Sequence, residues 1–300
     1  MAVSTSDSIL IDSFTLTVGD IADAEVDKLH ALSLSVGWPH RAEDWRFLQQ
    51  AGKGVVALDE IGRVVGSAMW FPFGPNFATI GMVITSPRLQ ANGTGQWLMK
   101  HVQERVGDRD LGLSATRAAR RLYLSLDFTP ESIVYQCQGE AVAPPAAIVS
   151  PGAALRPITS ADLHAITELD RKAFGSERKA LLAQLLEVSK GLALLREGRI
   201  EAFSLCRQFG RGHVIGPVVA ATDADAIAVV RPHVADHAGR FLRLDTRQKK
   251  GDFAEFLSRC GLPVHDTVTT MSFGRPWTVT AGNEPKHAQT TYALTSQALG

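Results

Sequence analysis

The chain has 300 residues, of which 45% are hydrophobic and 21% charged, and its 31 Lys+Arg balance 31 Asp+Glu. That length predicts about two domains, each able to bury a core, and the zero net charge argues against a general nucleic-acid binder. There is no long apolar run to cross a membrane, and the acidic start Met1–Phe14 lacks the basic n-region of a signal peptide, so a cytoplasmic protein is expected.

In chain order, Phe14–Val18 is a short strand, and Asp20 caps a helix running to about Ser35. Glu43–Gln50 is a second helix. Gly54–Asp59 and Val64–Phe71 are apolar strands joined by a turn at Gly62, and Ala78–Thr85 is another strand. Gly93–Val106 is a helix with Leu98, Val102 and Val106 at spacing four. Leu111–Ala115 is a strand, Ala118–Leu126 a helix and Ser132–Gln138 a strand. The Pro- and Ala-rich stretch Glu140–Ala153 reads as a linker, which places domains at 1–143 and 154–300 around residues 144–153.

The second half repeats the first. Ile61–Val83 parallels Glu197–Val218, with Gly62-Arg63 matching Gly198-Arg199 and Ile80-Gly81 matching Ile215-Gly216. The offsets, 136 and 135, differ by one residue, as for a repeated domain rather than a short repeat unit. The expected fold class is therefore α/β, an α+β mixed sheet in two tandem domains of one topology. The three cysteines, Cys137, Cys206 and Cys260, are widely spaced and suggest reduced core thiols, neither disulfides nor a zinc site. His233 and His237 form an i,i+4 pair with no third ligand in reach of the pattern, so a solvated helix face is expected and no metal.

The chemistry points to the strand Ala78–Thr85 and the loop after it. Gln90-Ala91-Asn92-Gly93-Thr94-Gly95 leads directly into a helix. Two glycines let a ligand approach the backbone, and the helix start leaves unpaired N–H groups with partial positive charge, a combination suited to a pyrophosphate. The Walker arrangement is absent, because no Gly-Lys-Ser/Thr comes next.

The pattern Val83-x-Thr85-x-Pro87-x-x-Gln90-x-x-Gly93-x-Gly95 resembles the signature of the GCN5-related N-acetyltransferases (GNATs). The resemblance implies that Met82, Val83 and Ile84 line the pantetheine arm of acetyl-CoA, the co-substrate, and that Gln90, Ala91, Asn92, Gly93, Thr94, Gly95 and Gln96 bind its pyrophosphate. In Leu122-Tyr123-x-x-x-Asp127-Phe128, the Tyr of the family is present and its Gly is replaced by Asp127, which tolerates a left-handed turn. Tyr123 is then the catalytic acid that protonates the leaving thiolate, and strand N–H groups stabilise the oxyanion. The run Gly216-Pro217-Val218-Val219 and the tail Tyr292–Gly300 also resemble a YitH-like branch of bacterial tandem GNATs, with the Ile80–Gly95 segment and the tandem order as the strongest motifs of the resemblance.

The acceptor side is less complete. Ala78–Thr85 carries no carboxylate to serve as base. The loop Gly37–Trp45 offers the alternatives, with Trp38, His40 and Asp44, together with Trp70, as candidate substrate-binding residues. The second half has lost the cofactor motif: Asp225 lies where Gln90 would, no GxG comes after it, and Leu257 takes the place of Tyr123. It is expected to keep the fold without acyl-CoA and to help shape the acceptor pocket. The expected function is transfer of an acetyl group to a small-molecule primary amine by a monomer or homodimer, with no nucleic-acid or membrane partner. The alternatives are a non-catalytic acyl-CoA sensor and a protein-lysine acetyltransferase.

Overall fold

The computed structural model describes residues 6–11, 14–144, 152–277 and 288–300. Residues 145–151 of the expected linker lie outside that set. The first half contains β1 (Ser8–Ile11), β2 (Phe14–Asp20), α1 (Val26–Ser35), α2 (Ala42–Ala51), β3 (Lys53–Leu58), β4 (Val64–Phe73), β5 (Phe77–Thr85), α3 (Thr94–Val106), β6 (Asp110–Ala115), α4 (Arg120–Leu124) and β7 (Thr129–Glu140). The second contains β8 (Ala153–Pro157), α5 (Leu163–Phe174), α6 (Lys179–Val188), β9 (Ser189–Arg196), β10 (Arg199–Phe209), β11 (Gly212–Ala220), α7 (Asp223–Asp236), β12 (Phe241–Thr246), α8 (Asp252–Arg259), β13 (Val264–Phe273) and β14 (Thr290–Ala293). The α/β expectation holds, and β2–β7 and β8–β13 run through the same order of elements, with β1 added before the first and β14 after the second.

The strands form one mixed sheet in the order β1-β2-β3-β4-β5-β6-β13-β7-β12-β11-β10-β9-β8, with β14 beside β11. The two halves exchange a strand. β13, from the second half, pairs antiparallel with β6, and β7, from the first, pairs antiparallel with β12. β7 and β13 pair with each other at the centre, from Cys137↔Val264 to Thr129↔Ser272. A backbone ladder therefore continues across both halves: among the described residues β7 pairs with no other strand of the first half and β13 with no other strand of the second.

Helices cover both faces, which explains why the central strands read as near-continuous apolar runs. Val55, Ala57, Ala68, Trp70, Ala78 and Ile80 pack against α3 through Trp97, Leu98 and Val102. Val56, Met69, Phe71 and Phe73 point the other way, toward Leu29, Leu32, Trp45 and Leu48 of α1 and α2. α1 and α2 are tied by a hydrogen bond from Trp45 Nε1 to Ser33 Oγ, 3.2 Å, inside the core.

The expectation for His233 and His237 is corrected. Both are buried, at 2% and 5% exposure, because the face of α7 that carries them packs on β10 and β11. His233 Nε2 meets Ser204 Oγ at 3.0 Å, and burial lowers its pKa to about 4. All three cysteines are free and buried.

Candidate active site

β5 and β6 run parallel, but they are hydrogen-bonded only from Phe77↔Asp110 to Ile80↔Leu113. Beyond Ile80 the two strands part, so the β6-facing edge of Gly81–Thr85 meets no strand. A β-bulge lies at the point of parting. Met69 pairs with Gly81 and Ser67 with Ile84, which sets Met82 and Val83 against the single residue Ala68. Met82 takes φ 52, and Ser67 Oγ donates to its carbonyl at 2.7 Å. The bulge reverses the alternation of the strand. Before it the even residues Ala78 and Ile80 face α3; after it Met82 and Ile84 face the α1–α2 side, and Val83 turns toward α3.

The loop after β5 rises to α3 through Ala91 at φ 67 and Gly93 at φ 86. Gly93 is the N-cap of α3 and supplies no side-chain cap. Among the described residues no backbone acceptor meets the N–H groups of Gly93, Thr94 and Gly95. The Thr94 hydroxyl is fully buried and has no partner. A Cβ on Gly95 would stand 3.2 Å from Leu122 Cδ2 and 3.6 Å from Thr85 Oγ1, so the loop abuts both α4 and the end of β5. Unpaired amides, an orphaned hydroxyl and the positive end of a helix fit a pyrophosphate well.

Tyr123 lies in α4, 5% exposed, at the wall of a cavity of about 300 Å³ beyond the gap. Its ring packs edge-on against Phe128, 5.9 Å between centroids. Burial raises its pKa, so the phenol stays protonated throughout the neutral range. Asp127 takes φ 63, the left-handed turn that ends α4.

The same cavity is lined by Ile80–Val83 of β5, by Trp38, His40, Asp44 and Phe47 from the α1–α2 region, and by Arg207, Phe209, Arg211 and Arg243 from the second half. Ser296–Ala298 close it, with Ala298 O accepting from Thr79 Oγ1 at 2.8 Å. Trp70 does not line it: its side chain lies on the opposite face of the sheet, in the α3 core.

Asp44 and His40 are not arranged as a base pair. Burial pushes the Asp44 pKa up, but hydrogen bonds from Arg41 and Gly210 outweigh it and hold the carboxyl below its ordinary value. Arg41 Nη2 donates at 2.7 Å and Gly210 N at 2.9 Å, so Asp44 joins α2 to the β10–β11 turn. His40 packs against Trp38 and Phe209, ring centroids 5.7 and 5.3 Å away, and its Nδ1 has no partner. Burial drives its pKa down to about 4, with Asp44 opposing and Arg243 and Arg207 assisting, so it is neutral at pH 7.

Two family models match the chain, both for GNAT acetyltransferase domains, one over residues 24–128 and one over residues 166–284. The chain belongs to the GNAT family and carries two GNAT domains in tandem. It is 25% identical, over 94% of its length and 100% of the other's, to the uncharacterized N-acetyltransferase YitH of Bacillus subtilis (strain 168). Its fold is similar to that of a proposed acetyltransferase of Pyrococcus horikoshii, with TM-score 0.75 and 18% identity over 95% of this chain and 96% of that one. It is also similar to a tandem GNAT protein from the clavulanic acid biosynthesis pathway, with TM-score 0.61 and 14% identity over 87% and 99%.

The second GNAT domain fills with its own residues the places that are open in the first. β11 and β12 also pair over only a short stretch, His213↔Leu242 and Val214↔Arg243, and then part. There β14 pairs with Val218–Ala220, and Leu294 N donates to Asp245 O at 2.8 Å, so the opening holds a strand. At the start of α7, Thr222 Oγ1 accepts from Asp225 N, Asp225 is bound to Arg196 at 2.6 Å, and Asp223 accepts from Phe253 N and Tyr292 Oη. The expected match of Tyr123 to Leu257 is consistent with the geometry. Phe128 N donates to Tyr123 O and Leu262 N to Leu257 O, each at 3.0 Å, after left-handed residues Asp127 and Gly261. Leu257 is a buried core residue of that domain.

Sequence reasoning missed the arginines of the cavity. Arg207 carried a signal: it is a charged residue inside an otherwise apolar strand, Ala202-Phe203-Ser204-Leu205-Cys206-Arg207. Among the described residues no group of three or more His, Cys, Asp or Glu could hold a metal, and no helix is long and apolar enough to cross a membrane.

Proposed function

We propose that this tandem GNAT protein transfers an acetyl group from acetyl-CoA to the primary amine of a small molecule, in the cytoplasm, using the first domain for the donor and both domains for the acceptor. The observation that carries the reading is the contrast between the halves: the gap beside β5 leads into a cavity, whereas the equivalent gap beside β11 is filled by β14. Acetyl-CoA supplies the activated acyl group. The residues Gln90–Gln96 offer amides and the Thr94 hydroxyl to its phosphates, and Gly81–Ile84 offer its arm a backbone edge that meets no strand, the Thr85 carbonyl being taken by Gln90 Nε2 at 3.2 Å. Tyr123 keeps a proton at its phenolic oxygen for the departing thiolate, since burial holds the phenol protonated through the neutral range.

No carboxylate on β5 takes the proton of the amine, and Asp44 is held by Arg41. Arg207, Arg211 and Arg243 around the cavity disfavour an ammonium, so the amine loses its proton to water on entry. Because the second domain walls in the acceptor side, a small molecule fits better than a lysine on a folded protein.

The test is a screen of purified protein with acetyl-CoA and amino acids, polyamines, amino sugars and aryl amines, reading CoA release. Release with at least one class is expected. Acetyl-CoA binding with no release across the panel supports a sensor instead, and no affinity for CoA at all ends the reading.

A further inference from the structure

The walls of the cavity hold one buried cation that has no ion-pair partner among the described residues. Arg207 is 6% exposed, yet it forms no ion pair among the described residues. Nη2 donates to Thr295 O at 3.2 Å, and Nε is buried with no partner. The guanidinium lies over two aromatic rings that also line the cavity, Phe209 at 4.9 Å and Phe47 at 5.4 Å, and these fix its plane. Burial lowers its pKa to about 10, which still leaves it charged at neutral pH.

The neighbouring charges make Arg207 an exception. Arg41 is paired with Asp44 and Arg243 with Asp245, both at 2.7 Å. Asp44 also accepts from Gly210 N, which leaves little of its carboxylate for Arg207. The other carboxylate at the cavity, Asp266, is exposed and accepts from Thr267 N. Arg211, at the rim, is exposed and adds a second cation. A buried guanidinium with a free N–H is unfavourable unless something supplies an anion.

We propose that the acceptor carries an anionic oxygen group, a carboxylate or a phosphate, beside its amine, and that Arg207 binds it. This rests on the acyl-transfer reading above. Arg207 faces the cavity that Tyr123 and Gly81 also line, so an acceptor held there by its anion presents its amine toward the gap. The planar fork of an arginine suits such a group better than a point charge does. The phosphates of the donor are not the intended anion, because Gln90–Gln96 lie outside the cavity wall. The same charge pattern disfavours polyamines and lysine-rich peptides, since the cavity holds no buried carboxylate free to receive a second ammonium.

The experiment compares matched acceptors. One arm sets amino acids against their primary amides, and the other sets phosphorylated amino alcohols against the free amino alcohols, all with acetyl-CoA and the whole chain. The anionic member of a pair is expected to have the higher kcat/KM by about tenfold or more, the effect of one charge-assisted hydrogen-bond set. The arm that shows the preference identifies the group.

In Arg207→Gln, KM for the anionic acceptor rises by a similar factor and the preference collapses, while Arg207→Lys restores part of it. Retained acetyl-CoA affinity shows that a variant is folded. If Arg207→Gln does not fold, the wild-type comparison alone decides. Equal use of both members by the wild type, or a preference that survives in a folded Arg207→Gln, overturns the proposal. If no amine is turned over, acyl transfer fails separately. Titration calorimetry of the whole chain with N-acetylated amino acids against their amides then decides the anion site without turnover: tighter binding of the acids supports it and equal binding removes it.

Discussion

Tyr123 and His40 show how burial, the largest cause at each, sorts two titratable groups at one cavity. Burial raises the phenol and lowers the imidazole, so near neutral pH one keeps its proton and the other stays without one. Tyr123→Phe should leave acetyl-CoA affinity intact and reduce kcat by roughly 10²–10⁴-fold, read by single-turnover transfer with an accepted amine; an unchanged rate means that another group protonates the thiolate. The histidines also set a sign for stability. His40 and His233 have pKa values near 4 against an ordinary 6.5, so between those values the unfolded chain binds protons that the folded chain does not. Stability is fully present above about pH 6.5 and falls as the pH drops toward 4. Urea midpoints at pH 7 and pH 5 check this, and a higher midpoint at pH 5 contradicts it. Tyr123 was legible in the sequence through its spacing to Asp127-Phe128. His40 stands out in the sequence as a candidate, but its low pKa does not, because the rings that bury it include Phe209, 169 positions away in the chain.

At the scale of elements, the strand–loop–helix from β5 to α3 was the most legible part of the molecule, because its signal is local: a β run, two glycines and an apolar spacing of four. The bulge at Met82 was not legible, since no glycine or proline occupies the left-handed position. The N-terminus of α3 carries the sharpest prediction. A Cβ at Gly93 would meet nothing within 4 Å, although the residue sits at φ +86. Gly93→Asp is therefore sterically free but strained, and it sets a negative charge at the positive end of a helix where an anion belongs. Acetyl-CoA affinity should fall by about tenfold or more in a calorimetric titration, and unchanged affinity excludes the loop as the phosphate site. The second domain already has carboxylates at this place, Asp223 and Asp225, each engaged by its own domain.

For the whole molecule, the two tandem domains were legible from the repeat around Gly62 and Gly198, but the exchange of β7 and β13 was not. Strand pairing between halves leaves no periodic mark in either one, because each strand reads the same whichever partner it has. The exchange makes the halves interdependent. Residues 1–143 expressed alone lack β12 and β13, leaving the β6 edge and the whole of β7 unpaired, and should aggregate or stay unfolded under conditions in which the full chain folds; a folded, soluble fragment contradicts this. A second long-range tie closes the cavity. Arg178 and Asp170, both fully buried, pair at 2.6 Å, and Arg178 Nη1 donates to Leu299 O and Gly300 O, next to the residues that line the site. Removing one partner, as in Asp170→Ala, should cost about 3–5 kcal/mol in urea unfolding and increase amide exchange at Ser296–Ala298.

The central claim is that one domain of the tandem binds the donor and the other has filled its own opening. Its most direct test is the stoichiometry of acetyl-CoA binding to the full chain, measured by titration calorimetry on the wild type and on Gly93→Asp. One site per chain, lost or weakened about tenfold or more in the variant, is the predicted result. Two sites per chain, or none, contradicts the account.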